Sequence, residues 1–151
     1  MTKITENVRM SDANKTTIQG FIEDVLNRQQ LERADDLVKK NFIELDPLPG
    51  QQQGRDGLKD ILRVLWSAFP DMHWEGKEMV AEGEKVVTRF AWTGSHRGAF
   101  LGIPATGRRV EVKGVVIDRL ENGQMADSRI LMDTMGLMQQ LGVIPGPPPA
   151  P

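Results

Sequence analysis

The chain of 151 residues contains no cysteine and no tyrosine, and only two of its residues are histidine. Without cysteine it can form no disulfide bond, no thiol nucleophile and no zinc–cysteine site. Without tyrosine, no phenol side chain can donate a proton or a hydrogen bond in a reaction. Proton transfer near neutral pH is therefore left to His73, His96 or a carboxyl group whose pKa is shifted by its surroundings.

Long apolar runs and a strong excess of charge are also missing. No stretch approaches the roughly 20 apolar residues of a membrane span, and polar residues interrupt the N-terminal segment. The formal net charge of −2 argues against nucleic-acid binding, because phosphate affinity depends on clustered lysine and arginine. With 39% hydrophobic and 26% charged residues, the composition is that of one globular domain. We expect a cytoplasmic protein that binds neither nucleic acid nor membrane.

Hydrophobic periodicity predicts helices in the first half of the chain. Thr16 and Gln19 have the spacing of a capping box at the start of the first helix. A shorter helix is predicted over residues 31–38, followed by a brief strand over residues 42–46. A third helix is predicted over residues 58–69, where apolar residues line one face, and Pro70 ends it.

The apolar period then changes from 3.6 to 2, which indicates strands. Residues 72–81 and 85–94 are predicted to form one hairpin, and residues 108–120 and 124–132 a second. The Asn122-Gly123 pair is a strong signal for the turn of this second hairpin. Helices followed by antiparallel strands indicate an α+β domain with helices packed on one face of a curved sheet.

The two ends of the chain are set apart from this domain. Residues 1–15 show little periodicity, so we expect a loose arm there. Residues 146–151 form a proline-rich tail that can continue neither a helix nor a strand. The predicted domain therefore spans residues 16–145.

Several motifs occur in an order typical of one family. They are T-G-S-H-R-G-A-F-L-G-I-P-A-T-G-R at 93–108, M-D-T-M-G-L-M-Q-Q-L-G at 132–142, and shorter pieces at 42–50, 54–59 and 68–71. On these motifs the chain resembles the SnoaL-like polyketide cyclases, or ester cyclases. The resemblance implies a cystatin-like α+β barrel, shaped like a cone, of the kind found in nuclear transport factor two.

The second hairpin mixes charged and apolar residues in an unusual way. A regular ladder counted from its turn pairs Asp118 with Asp127 and Val116 with Arg129. One face then combines charged and apolar residues, among them Asp118, Asp127, Arg129, Asp133, Val116 and Leu131. If this face lines the cone, its charges must be paired, hydrated or protonated. We expect Arg129 to form a charge-assisted hydrogen bond to one of the three aspartates inside the cavity.

Asp133 is the leading catalytic candidate. By resemblance it matches the aspartate that acts as general acid and base in the polyketide cyclases, and we expect its carboxylate to project into the largest apolar pocket. Its position before residues 134–141 equally fits an N-cap, a role that aspartate performs well.

Two positions depart from the pattern of the family. Ser128-Arg129 stands where relatives often carry His-Trp, and Leu45 stands where many have histidine. An Asp127-Arg129-Asp133 cluster looks like limonene epoxide hydrolase, although that enzyme also uses a tyrosine, which is absent here. A structural salt-bridge network is the alternative interpretation.

Each of the other candidate site residues has two possible interpretations. His96 matches a family histidine that could orient a substrate, or is a surface loop residue. Asp46 either lines the pocket or turns the chain before Pro47. Candidate substrate contacts, which could instead be core residues, are Trp66, Phe69, Phe90, Trp92, Val116, Asp118 and Leu131.

The resemblance implies a cofactor-independent cyclase that closes a ring by an intramolecular aldol reaction on a polyketide-derived ester. Two alternatives stay open: an epoxide-opening enzyme, and a non-catalytic protein that binds a small apolar molecule. The two histidines lack metal-ligand spacing, so no metal is predicted. We expect a homodimer or homotetramer, because an exposed convex sheet face needs a partner.

Overall fold

The computed structural model describes residues 2–147 and residue 150, so part of the predicted proline-rich tail at 146–151 lies outside the described residues. The elements are, in chain order, α1 (Lys3–Gly20), a π-helical segment (Phe21–Asn27), a 3-10 turn (Leu31–Arg33), α2 (Ala34–Leu37), β1 (Val38–Glu44), α3 (Gly54–Ala68), β2 (His73–Glu82), β3 (Lys85–Ser95), β4 (Arg109–Glu121), β5 (Gln124–Met132) and α4 (Thr134–Gln140). None of the described helices is long and apolar enough to span a membrane.

The five strands form one sheet in the order β1-β5-β4-β3-β2. The pairs β2–β3, β3–β4 and β4–β5 are antiparallel, whereas β1 runs parallel to β5. Both predicted hairpins and the α+β architecture are confirmed. The sheet is open, with β1 and β2 at its edges, so helices and sheet together enclose the core.

Helix α3 packs its apolar side on this core through Leu58, Leu62 and Leu65, which are all buried. Its start is tied to β1 by the Gln53 side chain. The Gln53 amide accepts a hydrogen bond from the Glu44 N–H at 3.1 Å and donates one to the Glu44 carbonyl at 3.2 Å. These two bonds fix the end of β1, where the polar part of the candidate site begins.

The first helix is longer than the sequence predicts. Thr2 is its N-cap and accepts a hydrogen bond from the Thr5 N–H at 3.2 Å. The predicted capping box at Thr16 is wrong, because the Thr16 hydroxyl donates back to the Asp12 carbonyl at 3.1 Å, a bond that threonine forms within helices. Residues 3–15, expected as a loose arm, are therefore helical.

The helix predicted over residues 31–38 is also broken up. A 3-10 turn and the four residues of α2 replace it, and Val38 already belongs to β1. Val38 is extended, with φ −125° and ψ 132°, and β-branched residues favour that conformation.

Strand β5 contains one more residue than a regular ladder allows. Leu120 pairs with Met125, but the preceding residue of β4, Arg119, pairs with Asp127. Ala126 is therefore the extra residue of a β-bulge, which shifts every later pair by one position. The predicted pairing of Asp118 with Asp127 is wrong, and Asp118 pairs with Ser128 instead.

This shift changes which side chains of β5 face the helices. Since side chains alternate along a strand, Ser128, Ile130 and Met132 point inward. Arg129 and Leu131 belong to the opposite set, and Leu131 is 66% exposed.

Close packing between β3 and β4 gives a prediction for stability. A Cβ atom on Gly114 would lie 2.5 Å from Phe90 Cζ and 2.5 Å from the Leu131 carbonyl oxygen. Gly114→Ala should therefore lower the free energy of unfolding by about 1–3 kcal/mol, the usual cost of overpacking. Urea denaturation measures this change.

The matched control is Gly20→Ala. A Cβ atom at Gly20 would meet nothing within 4 Å, and alanine in a helix raises stability by about 0.4–1 kcal/mol. Equal stability of the Gly114→Ala protein and the wild type would contradict the close contact with Phe90.

Candidate active site

A cavity of about 310 Å³ lies between the inner face of the sheet and the helices α1 and α3. Its volume is at the lower end of the range for small-molecule sites, about 300–1,000 Å³. Most of its wall is apolar and includes Phe21, Leu62, Trp74, Phe90 and Ile130. Such a wall excludes water and suits an apolar, planar ligand.

Three polar residues form a row across this wall. Glu44 of β1 pairs with Ser128 of β5, and Ser128 pairs with Asp118 of β4. Neighbouring strands are ~4.8 Å apart, so the backbones of Glu44 and Asp118 are ~10 Å apart and both side chains point inward. All three residues line the cavity and are at least nine-tenths buried.

Asp118 is the most deeply buried of the carboxyl groups in the cavity. It is 3% exposed, and its Oδ1 atom has no hydrogen-bond partner among the described residues. Burial raises the pKa of Asp118 to about 7, although the neighbouring Ser128 hydroxyl partly offsets this effect. The group therefore keeps its proton up to neutral pH.

Burial likewise raises the pKa of Glu44 to about 7. The Asp46 N–H donates a hydrogen bond to Glu44 Oε1 at 3.2 Å and favours the ionised form, whereas the negative charges of Asp118 and Asp46 disfavour it. Burial is the main cause for both groups, and the charge of Asp118 raises the pKa of Glu44 further, so both carboxyl groups change protonation near pH 7. One member can then accept a proton while the other donates one.

The described wall of the cavity is acidic. Among the described residues that line the cavity, the ionisable ones are all acids, namely Glu44, Asp46, Glu75 and Asp118. The described residues also contain no cluster of three or more His, Asp or Glu residues that could hold a metal ion. The cavity thus disfavours an anionic ligand.

Five of the predicted substrate contacts line this cavity: Asp46, Phe90, Val116, Asp118 and Leu131. Leu131 is among them although its side chain belongs to the outward set of β5 and is 66% exposed. Asp46 is at the rim, where one of its carboxylate oxygens is buried without a partner among the described residues.

Three predicted aromatic contacts lie elsewhere. Phe69 and Trp92 are core residues, 0% and 1% exposed, with their rings 5.0 Å apart. Trp66 packs against the same core. None of the three is among the residues that line the cavity. Their positions fit the alternative interpretation from the sequence, that they are core residues.

His96 is completely buried rather than at the surface. Its Nδ1 atom accepts a hydrogen bond from the Thr106 N–H at 3.2 Å, and its ring stacks on Phe69. Backbone hydrogen bonds from His96 to Arg108 and from Gly107 to His96 close the same loop. The residue holds a loop together and is not part of the cavity wall.

The predicted Asp-Arg-Asp cluster does not assemble. Arg129 is half-exposed and contacts Asp46 at 3.4 Å, not any of the three predicted aspartates. Asp127 accepts a hydrogen bond from Arg119 at 2.6 Å. The bulge at Ala126 turns both residues out of the cavity, so the basis for an epoxide-opening site is missing.

Asp133 also differs from the expectation. Its carboxylate accepts a hydrogen bond from the Gly136 N–H at 2.8 Å and caps α4, and the residue is exposed. Asp133 is not among the residues that line the cavity, although its neighbours Met132 and Thr134 are. The predicted projection into the pocket is wrong, and the predicted capping role is the one that the geometry shows.

Two residues of the polar row, Glu44 and Ser128, were missed as site residues. For Glu44 a signal existed, because a strand that buries Phe42 also turns residue 44 inward. For Ser128 none did, because its orientation depends on the bulge.

The raised pKa values predict how stability depends on pH. Each group binds a proton more tightly in the folded than in the unfolded state, where ordinary values are 3.8 and 4.5. Their contribution to stability is therefore full at low pH and is lost as the pH rises to about 7, with a slope of up to about 1.4 kcal/mol per pH unit for each group.

The double variant Glu44→Gln, Asp118→Asn should lack this loss. Its free energy of unfolding, relative to that of the wild type, should rise between pH 4.5 and pH 8 in urea denaturation. A constant difference over this range would show that neither group is protonated by burial.

Known proteins are similar to this chain in sequence. Aklanonic acid methyl ester cyclase DnrD of Streptomyces peucetius is 31% identical over 118 residues, which cover 73% of this chain and 80% of that protein. The corresponding cyclase DauD of Streptomyces sp. strain C5 is 34% identical over 82 residues, 52% of this chain and 51% of that protein.

Solved structures share the fold. TsrD from Streptomyces laurentii has a TM-score of 0.81 at 28% identity, covering 88% of this chain and 97% of that chain. IdmH from Streptomyces antibioticus has a TM-score of 0.74 at 26% identity, covering 85% and 98%. The family model of the SnoaL-like polyketide cyclases matches residues 16–141, which build the sheet, most of its helices and the cavity, and the chain therefore belongs to this family.

Proposed function

We propose that this protein is a cofactor-independent cyclase that closes a ring in a polyketide-derived ester by an intramolecular aldol reaction. Glu44 and Asp118 are its acid–base pair. The observation that carries this proposal is the pair of buried carboxyl groups on one wall of an apolar cavity, both with a pKa of about 7. The similar aklanonic acid methyl ester cyclases support the choice of substrate class.

Glu44 is the better base of the two. It accepts the Asp46 N–H, which stabilises its ionised form. In the first step a Glu44 carboxylate oxygen takes the proton from the carbon α to the ester carbonyl. The electron pair of that C–H bond moves into the ester group as an enolate.

Asp118 is the better acid, because one of its oxygens has no partner to stabilise a charge. In the second step the enolate carbon forms a bond to a ketone carbon of the same molecule. The π electrons of the ketone move to its oxygen, which takes the proton from Asp118. The product is an isomer of the substrate, and a proton passing from Glu44 back to Asp118 restores the pair.

The cavity contributes more than the acid–base pair. Holding both reacting carbons in one apolar space can account for ~7–11 kcal/mol of a barrier. General acid–base catalysis by a positioned side chain contributes typically ~10²–10⁴-fold.

The family resemblance assigns the same proton transfers to Asp133. For that role, its carboxylate would have to leave the cap of α4 and turn past Met132 or Thr134 into the cavity. Glu44 and Asp118 require no such movement, since both already line it.

Substitution of the three acids distinguishes these assignments. Glu44→Gln and Asp118→Asn should each reduce turnover by about 10²–10⁴-fold, because an amide cannot cycle between acid and base. Aklanonic acid methyl ester is a suitable first substrate, with ring closure followed by product formation and binding by quenching of tryptophan fluorescence.

Asp133→Asn is the matched control, since asparagine caps a helix as well as aspartate. It should keep both turnover and stability. Abolished turnover in Asp133→Asn, with normal activity in the two cavity variants, would restore Asp133 as the acid–base group and refute our assignment.

The acidic wall also predicts which form of the substrate binds. A methyl ester should bind at least tenfold more tightly than the matching free acid at pH 8, because an added carboxylate would meet ionised acids and no cation among the described residues of the wall. The preference should shrink at pH 5.5, where Glu44 and Asp118 are protonated. Titration of both ligands at both pH values measures it.

The variant Glu6→Gln, which removes an exposed acid of α1, should leave this preference unchanged. Equal affinity for ester and acid at pH 8 would show that the wall does not select for a masked carboxyl group.

We also propose that the protein forms a homodimer or homotetramer in the cytoplasm. The outer sheet face exposes Val80, Val115, Ile117 and Leu131, and apolar residues together on one face favour association. The absence of cysteine suits a reducing compartment.

A further inference from the structure

A second concavity lies beside the cavity. This groove of about 360 Å³ is at the surface between the π-helical segment and β2, and its wall is more polar than that of the cavity. Residues that line only the groove include Gln19, Glu23, His73 and Met79. It is as large as the cavity itself, so joining the two would roughly double the space for a ligand.

The two spaces share a thin partition. Ile22, Trp74, Glu75 and Gly76 line both the cavity and the groove. Gly76 contributes no side chain to the partition. A Cβ atom at Gly76 would lie 3.9 Å from Ile22 Cδ1 and 3.5 Å from Thr88 Cγ2. The side chains of Thr88 and Ile22 therefore fill the space beside Gly76, and of these two only Ile22 also lines the groove.

Both elements that form the partition are irregular at this point. Ile22 belongs to the seven-residue π-helical segment. This conformation is rare in proteins, and where it occurs it is often at a functional site. Opposite it, β2 has a bulge, because Gly76 pairs with Phe90 but Glu78 pairs with Arg89. Lys77 is the extra residue.

The described hydrogen bonds that hold the helix against β2 lie at the two ends of the contact. Asn27 accepts from the Trp74 N–H at 2.7 Å and donates to the Trp74 carbonyl at 2.9 Å. At the other end, Asn14 donates to the Gly83 carbonyl at 3.5 Å. Between these ends the contact consists of side-chain packing, so a rotation of Ile22 breaks no hydrogen bond.

We propose that Ile22 and Gly76 determine the length of the ligand that the site accepts. Rotation of Ile22 joins the cavity to the groove, and the far end of a long ligand then occupies the groove. This inference rests on the proposed function, because it concerns the same substrate.

The groove favours an uncharged polar group at that far end. Each of its three acids already contacts a cation. Glu23 contacts Arg28 at 3.4 Å, Glu75 contacts Lys77 at 2.9 Å and Glu78 contacts Arg89 at 2.7 Å. The amide of Gln19 is available beside them. Hydroxyl and carbonyl oxygens match this wall, because the acids that line it already have cationic partners.

Binding measurements with two probes test the proposal. Methyl 2-naphthoate is short enough for the cavity alone, and a hydroxylated tetracyclic aromatic methyl ester is not. Gly76→Val and Ile22→Phe both thicken the partition. Each should weaken binding of the tetracyclic ester at least tenfold and leave binding of methyl 2-naphthoate within twofold, as measured by quenching of tryptophan fluorescence.

Ile22→Ala thins the partition and should keep or strengthen binding of the tetracyclic ester. It also serves if Gly76→Val fails to fold. Equal weakening of both probes, or unchanged affinity for the tetracyclic ester in Gly76→Val and Ile22→Phe, would overturn the proposal. Because the readout is binding, it can be repeated in Asp118→Asn protein, and its failure is distinct from a failure of the proposed chemistry.

Discussion

One extra residue in β5, Ala126, decides which side chains of the last hairpin face the cavity. Without this bulge, Asp127 and Arg129 would point inward opposite Asp118 and Val116. With it, Ser128 is the neighbour of Asp118 on one side and of Glu44 on the other. Both the composition of the polar row and the absence of a cation from the described cavity wall follow from that shift.

The shift also separates two electrostatic environments. Outside, charges are paired and solvated, as in the contact of Arg119 with Asp127. Inside, Glu44 and Asp118 are buried on a wall whose described residues include no cation, and burial keeps such acids protonated. A carboxyl group held near neutrality by burial is the form that general acid–base catalysis at neutral pH requires. Histidine and tyrosine are then unnecessary for the proposed chemistry.

The sequence predicted the fold well because its signals were local: period-2 strands, Asn122-Gly123 and the proline after α3. It missed the start of α1, since an exposed polar helix has no apolar face to mark it. The candidate site was predicted less well. Which side chains of β5 face the cavity depends on the one extra residue, Ala126. In the sequence, the adjacent apolar residues Met125 and Ala126 are the only sign of this bulge. Glu44 could have been found from the alternation after Phe42.

Acid–base catalysis by Glu44 and Asp118 requires that both buried carboxyl groups change protonation near neutral pH, which carbon-13 NMR measures directly. A titration with labelled aspartate and glutamate side chains, assigned with Asp118→Asn and Glu44→Gln, gives the midpoint of each group. We predict midpoints near pH 7 for both, and a lower midpoint for Glu44 once the charge of Asp118 is removed. Midpoints near the ordinary values of 3.8 and 4.5 would contradict the proposed acid–base pair.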